Sequence, residues 1–179
     1  CNAVTCDNYQ VSYNAIKSLI QKGHTNIGYI YSSKNYELST GRDRFQGYLD
    51  ALADSGLARD EKIIVGRKQQ TFENGYDAMK QLLQEKKATA CFVAENPMAQ
   101  GVFKCLMHYK KRIPEEMAMI CYDDFEWSQL TVPTISAIRQ PMKEMGRKAA
   151  ELLLKKIGDP DAQCENIILK SEFILRESC

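Results

Sequence analysis

The chain has 179 residues, enough for one domain of ordinary size, or one lobe plus part of another, with a sizeable core. Its 44% apolar and 26% charged residues exclude a disordered chain, and 24 Lys and Arg against 23 Asp and Glu, a net charge of +1, leave no strong electrostatic footprint for a phosphate backbone. No stretch approaches the ~18 uninterrupted apolar residues of a membrane span, and seven cysteines, an odd number with no Cys-x-x-Cys pair and no His at zinc spacing, point to free thiols and a cytoplasmic location.

The opening "CNAVTCDNYQ" lacks an initiator Met and reads like the end of a strand, so the chain is expected to be a fragment. Val11, Ala15, Ile16, Leu19 and Ile20 then share one face of a helix that Gly23 should stop. "NIGYIY" (26–31) reads as a buried strand, and Phe45, Tyr48, Leu49 and Leu52 mark a second helix ended by Gly56. "KIIVG" is the next strand, Tyr76, Met79, Leu82 and Leu83 the next helix, and "ATACFVA" (88–94) the strand after it. Asn96 is expected to cap a helix with Pro97 in its first position, where a missing N–H costs nothing. The strand "MAMIC" runs into Tyr122, Asp123 and Asp124, and a loop from Phe125 to Thr134 precedes the short strand "ISAI". Met142, Met145, Ala149, Leu152, Leu153 and Ile157 form the last helical face, and "ENIILKSEFILRES" ends the chain as two short strand-like runs. Strands alternating with helices predict an α/β fold with a parallel sheet flanked by helices.

In such a sheet ligands bind beyond the carboxyl ends of the strands. Those positions hold Arg44, Gln70, Glu95, Asn96, Asp123 and Gln140 as polar groups, with Tyr36, Phe72, Tyr122 and Trp127 as apolar faces. An ionised carboxylate is costly to bury alone, so Asp123 is expected at the rim of a cleft with something to accept from. The blander alternative is that Arg44 and Asp123 merely pair with each other or cap helices. Asp123, Asp124 and Glu126 also admit a reading as ligands for a divalent metal, hence a metal-dependent enzyme, although no calcium-loop spacing or phosphate loop accompanies them. No nucleophile elbow, dinucleotide fingerprint or P-loop lysine is present, and His24 and His108 are solitary. The residues ask for a ligand and offer no catalytic group, metal or cofactor.

The segments "CDNYQ", "LIQKGHTNIGYI", "STGRDRFQGY", "FVAENPMAQG", "RIPEEMAMICYDDFE", "ISAIRQP" and "LRES" occur in the order seen in lactose/galactose-repressor-type transcription regulators, which the chain resembles from Asp7 to Ser178. The resemblance implies a periplasmic-binding-protein-like effector core with one complete lobe and part of a second. Residues 24–140 and 163–179 would form the C-terminal lobe, and 1–23 with 141–157 the partial N-terminal lobe; the DNA-binding helix-turn-helix would lie outside this chain. With its sheet missing, the faces led by Ile16 and Leu152 would be disordered or covered by another chain.

Matched by motif, Asp7, Thr40, Arg44, Gln70, Glu95, Asp123 and Gln140 fall where the family contacts effector, with Arg44 as the clamping cation and Asp123 accepting from the ligand. Many relatives have Asn then Asp where this chain has Glu95-Asn96, and an aromatic ring near Gln70, a face that Phe72 would replace. The implied partners are a small effector (sugar, sugar phosphate or nucleobase), operator DNA through the headpiece, and a second copy meeting the chain through 97–110 and 127–133. The resemblance leaves open a periplasmic sugar-binding protein of the same fold.

Overall fold

A computed structural model describes residues 2–179. Six strands form one sheet in the order β3-β2-β4-β5-β6-β8: β2 (Ile27–Ser32), β3 (Ile64–Arg67), β4 (Ala90–Val93), β5 (Ala118–Tyr122), β6 (Ser136–Arg139) and β8 (Glu172–Ile174). All neighbours run parallel except β8, which pairs antiparallel with β6 on the edge. A separate two-stranded parallel sheet joins β1 (Ala3–Cys6) to β7 (Asn166–Leu169).

The central strands read as unbroken apolar runs because both faces are covered. Helices α1 (Asn8–Gln21) and α3 (Ser39–Ala53) cover one face, where Ile16, Leu19 and Tyr48 meet Tyr29, Phe92 and Ile120. Helices α4 (Phe72–Gln84) and α5 (Asn96–His108) cover the other, bringing Met79, Leu82, Val102 and Leu106 onto Ile30, Cys91 and Met119. Strand residues therefore alternate between two cores with period two, which puts Tyr122 on the α1/α3 side and Cys121 on the other.

Glycine sets how closely α4 and α5 approach. A Cβ on Gly101 would sit 1.9 Å from the Phe72 carbonyl oxygen, and one on Gly75 would sit 2.1 Å from that of Met98. Gly23 and Gly56, at φ +93° and +67°, follow α1 and α3 in the left-handed conformation that ends a helix.

Several expectations need correction. The helix carrying Ile16 does not belong to a partial lobe ending at residue 23. Ile16 is fully buried against the six-stranded sheet, and Gly47 lets α3 come so close that a Cβ there would lie 2.5 Å from the Tyr9 carbonyl. The 163–179 segment divides, β7 pairing in the small sheet and β8 in the large one. The expected strand from Lys62 begins as a 3-10 turn, Glu61–Ile63, because the Asp60 carboxylate accepts from the Lys62 N–H. Helix α5 is capped at Glu95 rather than Asn96, and short helices α2 (Ser33–Tyr36) and α6 (Trp127–Leu130) occupy stretches without helical periodicity. The last helix, α7 (Met142–Gly158), keeps only Leu152 buried and leaves Leu153, Leu154 and Ile157 exposed.

Ile16→Ala is expected to cost about 2–5 kcal/mol and Leu154→Ala less than about 0.5 kcal/mol, read from urea midpoints of the chain. Equal costs would contradict the placement of α1. Gly101→Ala should cost about 1–3 kcal/mol by forcing two backbones apart; an unchanged midpoint would show that α4 and α5 cross less tightly.

Candidate functional site

The carboxyl ends of β2, β4 and β5 converge where α1 and α3 begin, and Arg44, one turn into α3, is buried there. Its Nε donates to Asn8 Oδ1 at 2.9 Å and its Nη1 to the Ala94 carbonyl at 2.7 Å. The guanidinium carbon lies 3.4 Å from the centre of the Tyr122 ring, a cation–π contact. Tyr122 donates its hydroxyl to the same Asn8 Oδ1 at 2.8 Å, and Asn8 Nδ2 donates to the Cys6 carbonyl at 3.0 Å. Burial pushes the Tyr122 phenol well above its ordinary value, keeping it a neutral donor. Nε and Nη1 thus each have an acceptor, and Nη2 has none among the described residues. Thr40 lies one helical turn before Arg44, on the same face of α3.

Asp123 follows β5 at φ +68°, a left-handed conformation that Asp tolerates better than most residues. Its Oδ1 accepts from Gln140 Nε2 at 2.5 Å, and its carbonyl accepts from Asn96 Nδ2 at 3.2 Å. The Arg44 guanidinium is not what holds Asp123. Arg44 is neutralised by dipoles and a ring face, while Asp123 is held by an amide. The pairing alternative falls with it, since no ion pair joins the two side chains.

The other candidates spread around this centre. Glu95 is buried; it accepts from the Ser32 N–H at 3.1 Å and from Asn35 Nδ2 at 2.9 Å, tying β4 to the start of α2. Burial raises its pKa against those hydrogen bonds. Gln70 lines a cavity of about 410 Å³ with Ser32, Asn35 and Leu38. Asp7 accepts from the Ser171 N–H at 2.7 Å, so its carboxylate joins the start of α1 to the β7–β8 connection. Phe72 turns away from this group; it lines a separate cavity of about 370 Å³ with Phe103, Met107 and Trp127, and does not supply a stacking face beside Gln70.

The metal reading does not survive the geometry. Asp124 is saturated: its carboxylate takes Arg176 Nη1 at 2.7 Å, Arg139 Nη2 at 2.6 Å and the Ser128 hydroxyl at 3.0 Å. A divalent ion would have to displace two guanidinium groups, and among the described residues no three His, Cys, Asp or Glu side chains gather as a ligand set. Sequence reasoning missed Asn8, Arg139 and Arg176 as parts of this region. Each lay inside a motif already singled out, "CDNYQ", "ISAIRQP" or "LRES".

Residues 16–179 match the family described as the periplasmic binding protein-like domain. The chain is 34% identical over 167 residues to the ribose operon repressor of Haemophilus influenzae, covering 93% of this chain and 49% of that protein. It therefore spans about half the length of that relative. Among solved structures, a LacI-family transcriptional regulator from Enterococcus faecium with bound ribose superposes with a TM-score of 0.91 at 29% identity, covering 99% of this chain and 65% of the other. The complex of the transcriptional regulator CelR with cellobiose gives the same TM-score, 0.91, at 29% identity, over 99% of this chain and 54% of that one. Among the described residues no helix is long and apolar enough to cross a membrane.

Burial works to raise the Asp124 pKa, but the hydrogen bonds from Arg176, Arg139 and Ser128 outweigh it and hold the carboxyl at about 2. In the unfolded chain it titrates near the ordinary ~3.9. The folded state binds this proton less tightly, so the stabilisation is present above about pH 5 and fades as pH falls through about 4 toward 2. The stability gap between the chain and Asp124→Asn should shrink by about 1.5 kcal/mol between pH 5 and pH 2.5, measured by urea unfolding. A gap independent of pH would contradict the pairing.

Proposed function

The chain belongs to the periplasmic-binding-protein-like domain family, in the form carried by LacI-type transcriptional regulators, and from that premise we propose that it is the effector-sensing part of a bacterial repressor. A small polyhydroxylated effector of the sugar class binds at the strand ends, between the six-stranded body and a second lobe that β1, β7 and α7 begin. The observation that carries this reading is the Arg44 knot, a buried cation whose Nη2 has no acceptor among the described residues. A sugar hydroxyl accepts from Arg44 Nη2 and another donates to Asp123, so that one ring spans cation and carboxylate. Thr40, Asp7, Gln70, Glu95 and Gln140 supply or position further polar contacts. The ribose and cellobiose named in the similar structures favour sugars over nucleobases.

Binding without a following reaction is the role that the relatives named as repressors favour. An effector that prefers one arrangement of the two lobes shifts their equilibrium, and in the full-length protein that shift alters the operator affinity of a helix-turn-helix headpiece. The active form is a cytoplasmic homodimer, whose twofold axis matches a palindromic operator. Exposed Leu130, Val132 and Met107 on 97–110 and 127–133 support that interface. The relatives' roles in transcription weigh against the periplasmic transport reading.

A thermal-shift panel of D-ribose, cellobiose, sugar phosphates and nucleobases against the full-length protein tests the class. A stabilising sugar is the expected outcome, and a response to nucleobases alone would refute it. Against the sugar that stabilises, Arg44→Ala should weaken binding by about 2–5 kcal/mol in calorimetry, because it leaves the partner groups unpaired. A loss below about 0.5 kcal/mol would remove Arg44 from the pocket.

A further inference from the structure

Three chain segments far apart in sequence meet on the Asp124 carboxylate, whose side chain has no exposed surface. Arg176, just past β8, meets it fork to fork, Nη1 to Oδ1 at 2.7 Å and Nη2 to Oδ2 at 2.8 Å. Arg139, the last residue of β6, donates to Oδ2 from Nε at 3.0 Å and from Nη2 at 2.6 Å. Arg139 also lies 3.8 Å from Glu172, the first residue of β8. The chain passes twice here between the two sheets, with Arg139 at the exit and Arg176 beyond β8, the strand that it enters on its return. It leaves the large sheet at Arg139 for α7, and returns from β7 to β8 through Lys170 and Ser171.

The neighbouring residues repeat the pattern. Asp123 is bonded to Gln140 at 2.5 Å, directly beside the bond from Asp124 to Arg139. The loop after β5 and the passage from β6 to α7 are therefore joined by two adjacent rungs, one amide and one ionic. The ionic rung is buried at Asp124 and half-exposed at Arg139, whose two nitrogens meet the same Oδ2, while the bidentate Arg176 pair beside it fixes orientation more than it adds net stability.

We propose that Asp124 is a positioning residue for the cleft: by clamping Arg139 and Arg176 it holds the exit from β6 and the far end of β8 to the end of β5, keeps Asp123 and Gln140 in register, and confines any movement between the sheets to residues beyond Gln140 and before Glu172. The description of Asp123 as ligand-binding rests on the function proposed above; the clamp does not. Asp7, between β1 of the small sheet and α1 over the large one, reinforces it, since its carboxylate accepts from the Ser171 N–H at 2.7 Å.

Hydrogen exchange on the ligand-free full chain tests the clamp without reference to any effector. The variants are Asp124→Asn and Arg139→Gln; the second leaves Arg176 on Asp124 and replaces a half-exposed side chain, so it keeps the fold if the first does not. The expected result in Arg139→Gln is exchange about tenfold faster at the Met142 and Ser171 amides, with Arg176, β2 and β4 unchanged. Acceleration spread evenly over all strands, or restricted to residues 123–128, would overturn the proposal. A failure of sugar binding would bear on the proposed function alone.

Discussion

A guanidinium taken out of water must have its hydrogen bonds replaced, and the site is organised around meeting that demand for Arg44. Asn8 answers it from the first turn of α1, Ala94 from the end of β4, and the Tyr122 ring from the end of β5. β4 and β5 are neighbours in the sheet, and α1 meets them across the α1/α3 core. Fixing the cation therefore fixes where α1 and α3 sit over the sheet, and the close approach at Gly47 follows from the same packing. A cation so placed is rigid before any ligand arrives, which lowers the ordering cost of binding.

The tandem acids after β5 divide two tasks that their adjacency conceals. The left-handed backbone of Asp123 turns the two carboxylates into different surroundings. Asp123 stays half-buried with one amide partner, whereas Asp124 disappears under two arginines and a serine. The "RES" segment extends the same anchoring. Glu177 accepts from the Thr134 N–H at 2.9 Å, and the buried Ser178 donates to the Met119 carbonyl at 2.6 Å while accepting from the Ser136 N–H at 2.8 Å. The chain end thus seals the large sheet between β5 and β6.

The alternation of strands and helices was legible because burial on both faces leaves unbroken apolar runs, and helix faces repeat every three to four residues. What periodicity cannot state is which surface an amphipathic face meets. The Ile16 face looked the same whether it covered a missing sheet or the one present, and Gly47 was the local hint that a backbone comes close. Short elements held by side-chain caps, such as α2 with the Ser32 hydroxyl accepting from the Asn35 N–H, lie below the reach of periodicity. At the site, Arg44 and Asp123 were legible as polar groups at strand ends. The groups that hold Arg44 and the adjacent Asp124 were not, because Asn8 and Arg176 are brought in by contacts across 36 and 52 residues. Phe72 was misdirected for a related reason: a residue at the start of a helix can face either side of its loop, and here it faces the cavity that Phe103 and Trp127 also line.

The claim that the Arg44 knot is the effector-binding wall is met most directly by a crystal structure of the full-length protein soaked with the sugar that stabilises it. The account predicts ligand density within hydrogen-bond distance of both Arg44 Nη2 and the Asp123 carboxylate, with the bonds to Asn8 and Ala94 intact. Ligand density beside Phe72 and Trp127, with Arg44 untouched, would contradict it.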